Sequence, residues 1–219
     1  MTVSSTGSVV EVRFVDLLQH GPPREARAFA LGAVAAGRRG RDVYLDLLAP
    51  ALGEIGERWE YGAATVAEEH LATAVVASIM ATLAPTLEEE PAVRQRIVLA
   101  CTDGELHDLG LRMLGDFLEG DGWEVLYLGA VTPANTLGAY VAEAKPAAVG
   151  LSVTLTTHLE FARATISVIR EQSEAYVLVG GGAFAGDARV AHDIGADGFA
   201  PDAGAASRLL RARFGEQVT

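Results

Sequence analysis

Cysteine is almost missing from these 219 residues, with Cys101 the sole example. One thiol excludes an intramolecular disulfide framework and a multi-cysteine metal site. Its place after the apolar run Ile97-Val98-Leu99-Ala100 makes a buried structural thiol the default reading. Aromatics are sparse at 6%. Positive charge is scarce as well: 17 basic residues stand against 29 acidic, a net charge of −12. Such a surface is poorly suited to nucleic acid, since phosphate contacts need clustered Lys and Arg. The one short basic cluster, Arg38-Arg39-Gly40-Arg41, is explained more cheaply as a solvated helix end. No stretch reaches 18 consecutive apolar residues, so no membrane span is expected. Residues 1–7 lack the basic and long apolar regions of a signal peptide. Together these absences predict a soluble cytoplasmic chain, in a reducing compartment, that engages neither membrane nor nucleic acid directly. Internal repeats and low-complexity tracts are missing too. No Gly-x-Gly-x-x-Gly follows the first strand and there is no P-loop, so neither nucleotide-cofactor default applies.

What is present is core-forming material. Half the residues are apolar and 24 are glycine, which argues against disorder and for one large or two small domains. Over residues 9–87 the pattern is helical. Val43, Leu47, Leu48, Leu52 and Ile55 recur at three- and four-residue steps, as do His70, Ala74, Ala77 and Met80. Turn residues interrupt the pattern at Gly21-Pro22-Pro23, at 37–40 and at Tyr61-Gly62. Four helices follow, at roughly 9–19, 24–37, 41–60 and 65–85, which most economically make a four-helix bundle. The acidic, proline-containing stretch 85–96 reads as a linker.

From residue 96 to 214 short apolar strands alternate with helices. The strands fall at 96–101, 124–128, 147–153, 176–179 and, weakly, 198–200. The helices fall near 107–120, 133–144, 158–172, 187–194 and 203–213. That alternation implies a Rossmann-like, flavodoxin-like parallel sheet with helices on both faces. The expected class is therefore α followed by α/β.

Ligands of an open parallel sheet bind beyond the carboxyl ends of its strands, and the peculiar segments collect there. Thr102-Asp103-Gly104-Glu105-Leu106-His107-Asp108-Leu109-Gly110 follows the first strand, Ser152-Val153-Thr154 the third and Gly180-Gly181-Gly182 the fourth. A histidine flanked by acids has a ready orienting partner: a carboxylate on one ring nitrogen fixes the tautomer and leaves the other for a metal. Taken alone, a loop histidine is more often a surface residue or a satisfied hydrogen-bonder.

Glu105-x-His107-x-x-Gly110, then 41 residues, then Ser152-x-Thr154, then 26 residues, then Gly181-Gly182 resembles the cobalamin-binding signature. That family's pattern is Asp-x-His-x-x-Gly, Ser-x-Leu and Gly-Gly at nearly these separations. The resemblance implies His107 as lower axial ligand to cobalt, displacing the cofactor's own benzimidazole. It implies that Ser152 and Thr154 line the channel of that tail, with Gly181 and Gly182 letting it pass against backbone. Glu105 stands where most of the family has Asp, which leaves open whether it orients His107. Thr154 replaces the usual Leu.

Trp59, nine residues, then Glu69-His70 is a second constellation, in the helical half. By residue type, Trp59 is a good bundle-core side chain and His70 could be a packed core histidine. Placed before Glu-x-His, however, it resembles the CarH-type light-sensing cobalamin proteins, a group that carries both motifs in this order and prefers Glu at the position of Glu105. The resemblance implies a photosensor. Adenosylcobalamin would lie between bundle and sheet, with Trp59 over the adenosyl group and Glu69 bonding near it. Light would cleave the Co–C bond, and His70 would then take the upper face of cobalt. A MerR-type DNA-binding segment would precede this region in the group; only about eight residues precede the first helix here, so direct DNA binding is not expected.

A homo-oligomer, dimer or tetramer, with an unidentified downstream protein is the expected output, without enzyme activity. Stand-alone members of the group, the photocobilins, also resemble this chain and bind a bilin. A biliverdin-like second chromophore would have to bind noncovalently, since Cys101 belongs to a strand; His158 and Arg163 are guesses for it. The competing class is the corrinoid methyl carrier of methyltransferase systems, which also pairs a small helical domain with such a sheet. A cobalamin isomerase subunit would need a substrate barrel for which 219 residues leave no room.

Overall fold

Residues 9–87 and 93–215 are described by a computed structural model of the chain, which separates after Leu87 into two units. The first is helical: α1 (Val9–His20), α2 (Pro23–Ala35), α3 (Gly40–Val43), a π-helical segment over Tyr44–Leu48, α4 (Ala49–Glu60) and α5 (Val66–Leu83). Pro23 opens α2, where its missing N–H is an orphan in any case. A capping box starts α5: Glu68 donates its N–H to the Thr65 hydroxyl, and Thr65 returns its own N–H to the Glu68 carboxylate. Helices α1, α2 and α4 pack on α5 around Phe14, Leu18, Tyr44, Leu47, Leu48, Ile55, Val76, Ile79 and Met80. The buried Tyr44 hydroxyl donates to the Met80 carbonyl at 3.0 Å.

Two sequence expectations change here. The helix expected at 41–60 is one helical run with a wide turn inside it at Tyr44–Leu48, a detail to which three- and four-residue spacing is blind. The inward stripe of α5 is Ala72, Val75, Val76, Ile79, Met80 and Leu83, whereas His70 and Ala74 face outward. Apolar residues occupy most of that helix's circumference, so periodicity cannot choose its buried side. By length and composition alone α5 could cross a membrane, but its apolar stripe is covered by its three neighbours. The basic cluster is largely neutralised locally, by Arg38–Asp46 and Arg39–Asp42 pairs at 2.8 Å.

The second unit alternates β1 (Arg96–Cys101), α6 (Leu109–Gly120), β2 (Glu124–Gly129), α7 (Ala134–Ala144), β3 (Ala148–Ser152), α8 (Leu159–Gln172), β4 (Tyr176–Gly180), α9 (Ala188–Asp193), β5 (Gly198–Phe199) and α10 (Ala203–Phe214). The sheet is parallel with order β2-β1-β3-β4-β5. Side chains of β1 alternate between two cores. Val98 and Ala100 join the cluster containing Leu137, Ile166 and Ile169 of α7 and α8. Ile97, Leu99 and Cys101 join the one containing Leu111, Leu118 and Leu210 of α6 and α10. Helices on both faces explain why the central strands are apolar throughout. Gly150 of β3 faces Leu99, whose Cδ2 lies only 2.6 Å from where a Cβ would stand. The chain changes winding direction between β1 and β3, which makes the loops after those strands the switch point of the sheet.

Candidate functional site

The loop after β1 turns at Gly104, whose φ of 77° suits glycine, and the Glu105 N–H closes the turn onto the Thr102 carbonyl at 3.0 Å. That turn carries Glu105 inward, where its side chain is fully buried. A buried carboxylate needs donors, and this one has them on both oxygens. Oε1 accepts the backbone N–H groups of Leu106 and His107, each at 3.0 Å, and Nδ1 of the His107 ring at 2.5 Å. Oε2 accepts the N–H groups of Thr154 at 2.8 Å and Leu155 at 3.4 Å, and Nδ1 of His158 at 3.1 Å. Burial by itself would raise this carboxyl. The donors from His107, Thr154 and His158 outweigh it and hold the group down at about 2.

An ionised carboxylate cannot donate, so Nδ1 of His107 is the donor in this contact, and Nε2 is the ring nitrogen that Glu105 leaves unengaged. About half of the His107 side chain is exposed. The question the sequence left open is answered by this contact: the longer Glu side chain does hold His107.

The remaining segment has mixed roles. Leu106 is exposed, Asp108 accepts the Tyr127 hydroxyl at 2.9 Å, and Leu109 and Gly110 begin α6. Open space surrounds Gly110 where a side chain would project. Ser152, at the end of β3, is nearly buried and accepts the Thr102 N–H on its carbonyl at 3.1 Å. Thr154 reaches the site through its backbone N–H. The three glycines have packing reasons of their own. A Cβ on Gly180 would come within 2.9 Å of the Ala200 carbonyl, and one on Gly182 within 3.1 Å of the Thr154 carbonyl. Gly181 has φ 113° and lies so close to Val153 that a Cβ would meet its carbonyl oxygen at 2.3 Å. Gly181 and Gly182 draw the loop after β4 tightly against the loop after β3, and Gly180 draws the end of β4 against the residue after β5.

The sequence did not point to two residues of this neighbourhood as partners of Glu105, although His158 was named for a bilin contact. His158 stands 53 positions from Glu105, and only the adjacency of β1 and β3 brings them together. Val131, after β2, has φ 58°, a strained value for a β-branched residue, and donates its N–H to the Glu105 carbonyl at 3.4 Å. Cys101 is buried as expected, and burial with the nearby Asp108 and Glu105 carboxylates pushes its thiol up to about 12.

In the helical unit, Trp59 ends α4 with 46% of its surface exposed, and Glu69 and His70 lie in the first turns of α5. The His70 side chain is 74% exposed, with Nε2 3.6 Å from Glu69. Glu69 also accepts the Thr73 hydroxyl at 2.9 Å. Neither Trp59 nor His70 is a bundle-core residue, so the readings by residue type give way. Both flank the short α4–α5 connection.

Chemically, His107 is an imidazole oriented by a buried carboxylate, and an imidazole so held is a good ligand for a borderline transition metal. Among the described residues no group of three or more His, Cys, Asp or Glu side chains could hold a metal ion.

Comparison with known proteins identifies the family of the chain. A family model described as a B12 binding domain matches residues 95–210, and a second, also described as a B12 binding domain, matches residues 10–84. The HTH-type transcriptional repressor CarH of Myxococcus xanthus is 38% identical over 127 residues, 58% of this chain and 42% of that protein. The repressor CarA of the same organism is 37% identical over 142 residues, 64% of this chain and 47% of its own length. The chain thus spans less than half of either repressor. A corrinoid protein of Desulfitobacterium hafniense is 28% identical over 170 residues, 74% of this chain and 77% of that one. In fold, the monomethylamine corrinoid protein of Methanosarcina barkeri superposes with a TM-score of 0.81 over 93% of this chain and 98% of its own, at 20% identity. The expected fold class, a helical domain followed by a Rossmann-like parallel sheet, is the one found.

Proposed function

Since the chain belongs to the B12 binding domain family, and so is a cobalamin-binding protein, we propose that it is a light sensor whose chromophore is adenosylcobalamin. His107 would hold the cobalt through Nε2. The tail channel is lined by Ser152, Thr154, Gly180, Gly181 and Gly182, and Leu106, Asp108, Leu109 and Gly110 complete the loop beneath the corrin. Bound there, the cofactor supplies a cobalt–carbon bond that visible light breaks. Trp59 offers the adenosyl group an apolar face and Glu69 a hydrogen-bond acceptor. His70 would be the candidate to hold cobalt after illumination. The loss of a space-filling group biases a two-state arrangement, and the output is a change in homo-oligomer, dimer or tetramer, or in a downstream protein, without catalysis by this chain. A noncovalent bilin such as biliverdin is a second chromophore in this reading.

The observation that carries the proposal is the exposed Trp59 with exposed His70 across one short connection, in a chain that also carries Glu105-x-His107. Similarity to CarH and CarA supports it. The competing reading, a corrinoid methyl carrier, is favoured by the longer match to the corrinoid protein of D. hafniense. Reconstitution with adenosylcobalamin in darkness, then green light, separates the two. The sensor yields a stable spectrum of cobalt with two imidazole ligands and an altered elution volume, and His70→Ala abolishes that spectrum. A photochemically silent complex, or turnover of the methylated form by a partner methyltransferase, defeats it. Pigment extraction after expression with a bilin supply decides the second chromophore.

A further inference from the structure

Glu105 is bonded to two imidazoles, and the cobalamin signature accounts for only one. We propose that His158 is a positioning residue for His107, acting through the carboxylate they share; the inference rests on cobalamin binding at His107.

Every donor on Oε1 comes from Leu106 or His107, on the same loop as Glu105 itself. Those bonds leave the whole loop able to shift as one piece. Oε2 is held from elsewhere, by the segment after β3: Thr154 N–H at 2.8 Å, Leu155 N–H at a long 3.4 Å, and the His158 ring at 3.1 Å. His158 is thus the only side chain among the described residues seen to tie the β1 loop to the β3 loop through this carboxylate. Its own position is well determined. It sits at the start of α8, donates its N–H to the Leu155 carbonyl at 2.9 Å, and packs its ring against Phe161 with centroids 6.0 Å apart. Only 16% of its side chain is exposed.

The bond also fixes the proton. Against an ionised carboxylate Nδ1 of His158 is the donor, so both histidines donate from Nδ1 to one anion. Glutamate suits this bridge better than aspartate, because its extra methylene lets two oxygens serve two loops. Partners of this kind, once removed from the metal, commonly change metal affinity 10–100-fold when lost.

The test uses the full chain, uniformly labelled with 15N-histidine, loaded with hydroxocobalamin and reduced to cobalt(II). Electron paramagnetic resonance then reads whether a protein imidazole or the cofactor's benzimidazole is the axial ligand, and equilibrium titration reads affinity. His158→Leu removes the donor. His158→Asn returns an N–H near the position of Nδ1. We expect His158→Leu to weaken cobalamin binding about tenfold and to lose most of the 15N coupling, with His158→Asn restoring both. Wild-type coupling and affinity in His158→Leu overturn the inference, as does failure of His158→Asn to restore either. If His158→Leu does not fold, His158→Met, which also lacks an N–H donor, replaces it under the same two outcomes. Absence of 15N coupling in the wild type is a different failure: it sinks the assignment of His107, not the role of His158.

Discussion

Replacing Glu105 by glutamine changes one atom and should cost the sheet unit a large part of its stability. Both oxygens of the native carboxylate face only donors. Whichever way a carboxamide is turned, its NH2 group opposes backbone N–H groups that cannot reverse their polarity. Leaving such a donor unpaired in the interior costs about 1–3 kcal/mol. A second route gives a similar size. The carboxyl is held at about 2 against an ordinary 4.5, and at ~1.4 kcal/mol per pH unit that difference is about 3 kcal/mol of stability. The sign follows from a depressed folded-state value: the stabilisation is complete above about pH 4.5 and is lost as pH falls toward 2. The assay is urea unfolding of the cofactor-free chain in a Trp59→Phe background, so that the buried Trp123 of the sheet unit reports alone. Glu105→Gln should unfold about 3 kcal/mol more easily at pH 7, roughly 10 °C in melting temperature. The gap to wild type should close between pH 4.5 and 2. A deficit under about 1 kcal/mol at pH 7, or one that stays constant down to pH 2.5, refutes the reasoning.

Gly181→Ala drives a Cβ into the Val153 backbone at a positive φ, so a loss of about 3 kcal/mol or more is expected, read as insolubility or a depressed melting temperature. Val131→Gly relieves a left-handed β-branched residue and should raise stability by about 1 kcal/mol; thermal melting that shows a drop contradicts the strain. Cys101, buried with its thiol pushed up to about 12, should resist alkylation by iodoacetamide at pH 8 in the folded chain and react fully in urea. Rapid labelling of the native protein would show that the end of β1 opens readily.

The architecture was legible because its signals are local. Short apolar strands spaced by helices fixed the parallel sheet, and even the marginal strand at Gly198–Phe199 was visible as a weak one. Loops at strand ends identified where a ligand belongs, since a parallel sheet exposes them together. Periodicity failed at α5, where alanine and valine surround the helix and no stripe stands out, and at Tyr44–Leu48, where one wide turn leaves apolar spacing almost unchanged.

The linear order of residues determined the class of fold, the loop that carries His107 and the acidic partner two positions before it, because neighbours in sequence must be neighbours in space. Tertiary structure alone decided what that partner touches with its second oxygen. Thr154, Leu155 and His158 reach Glu105 only because β1 and β3 pair side by side, and strand pairing is a long-range choice that local spacing does not encode. The ionisation of Glu105 depends on that packing.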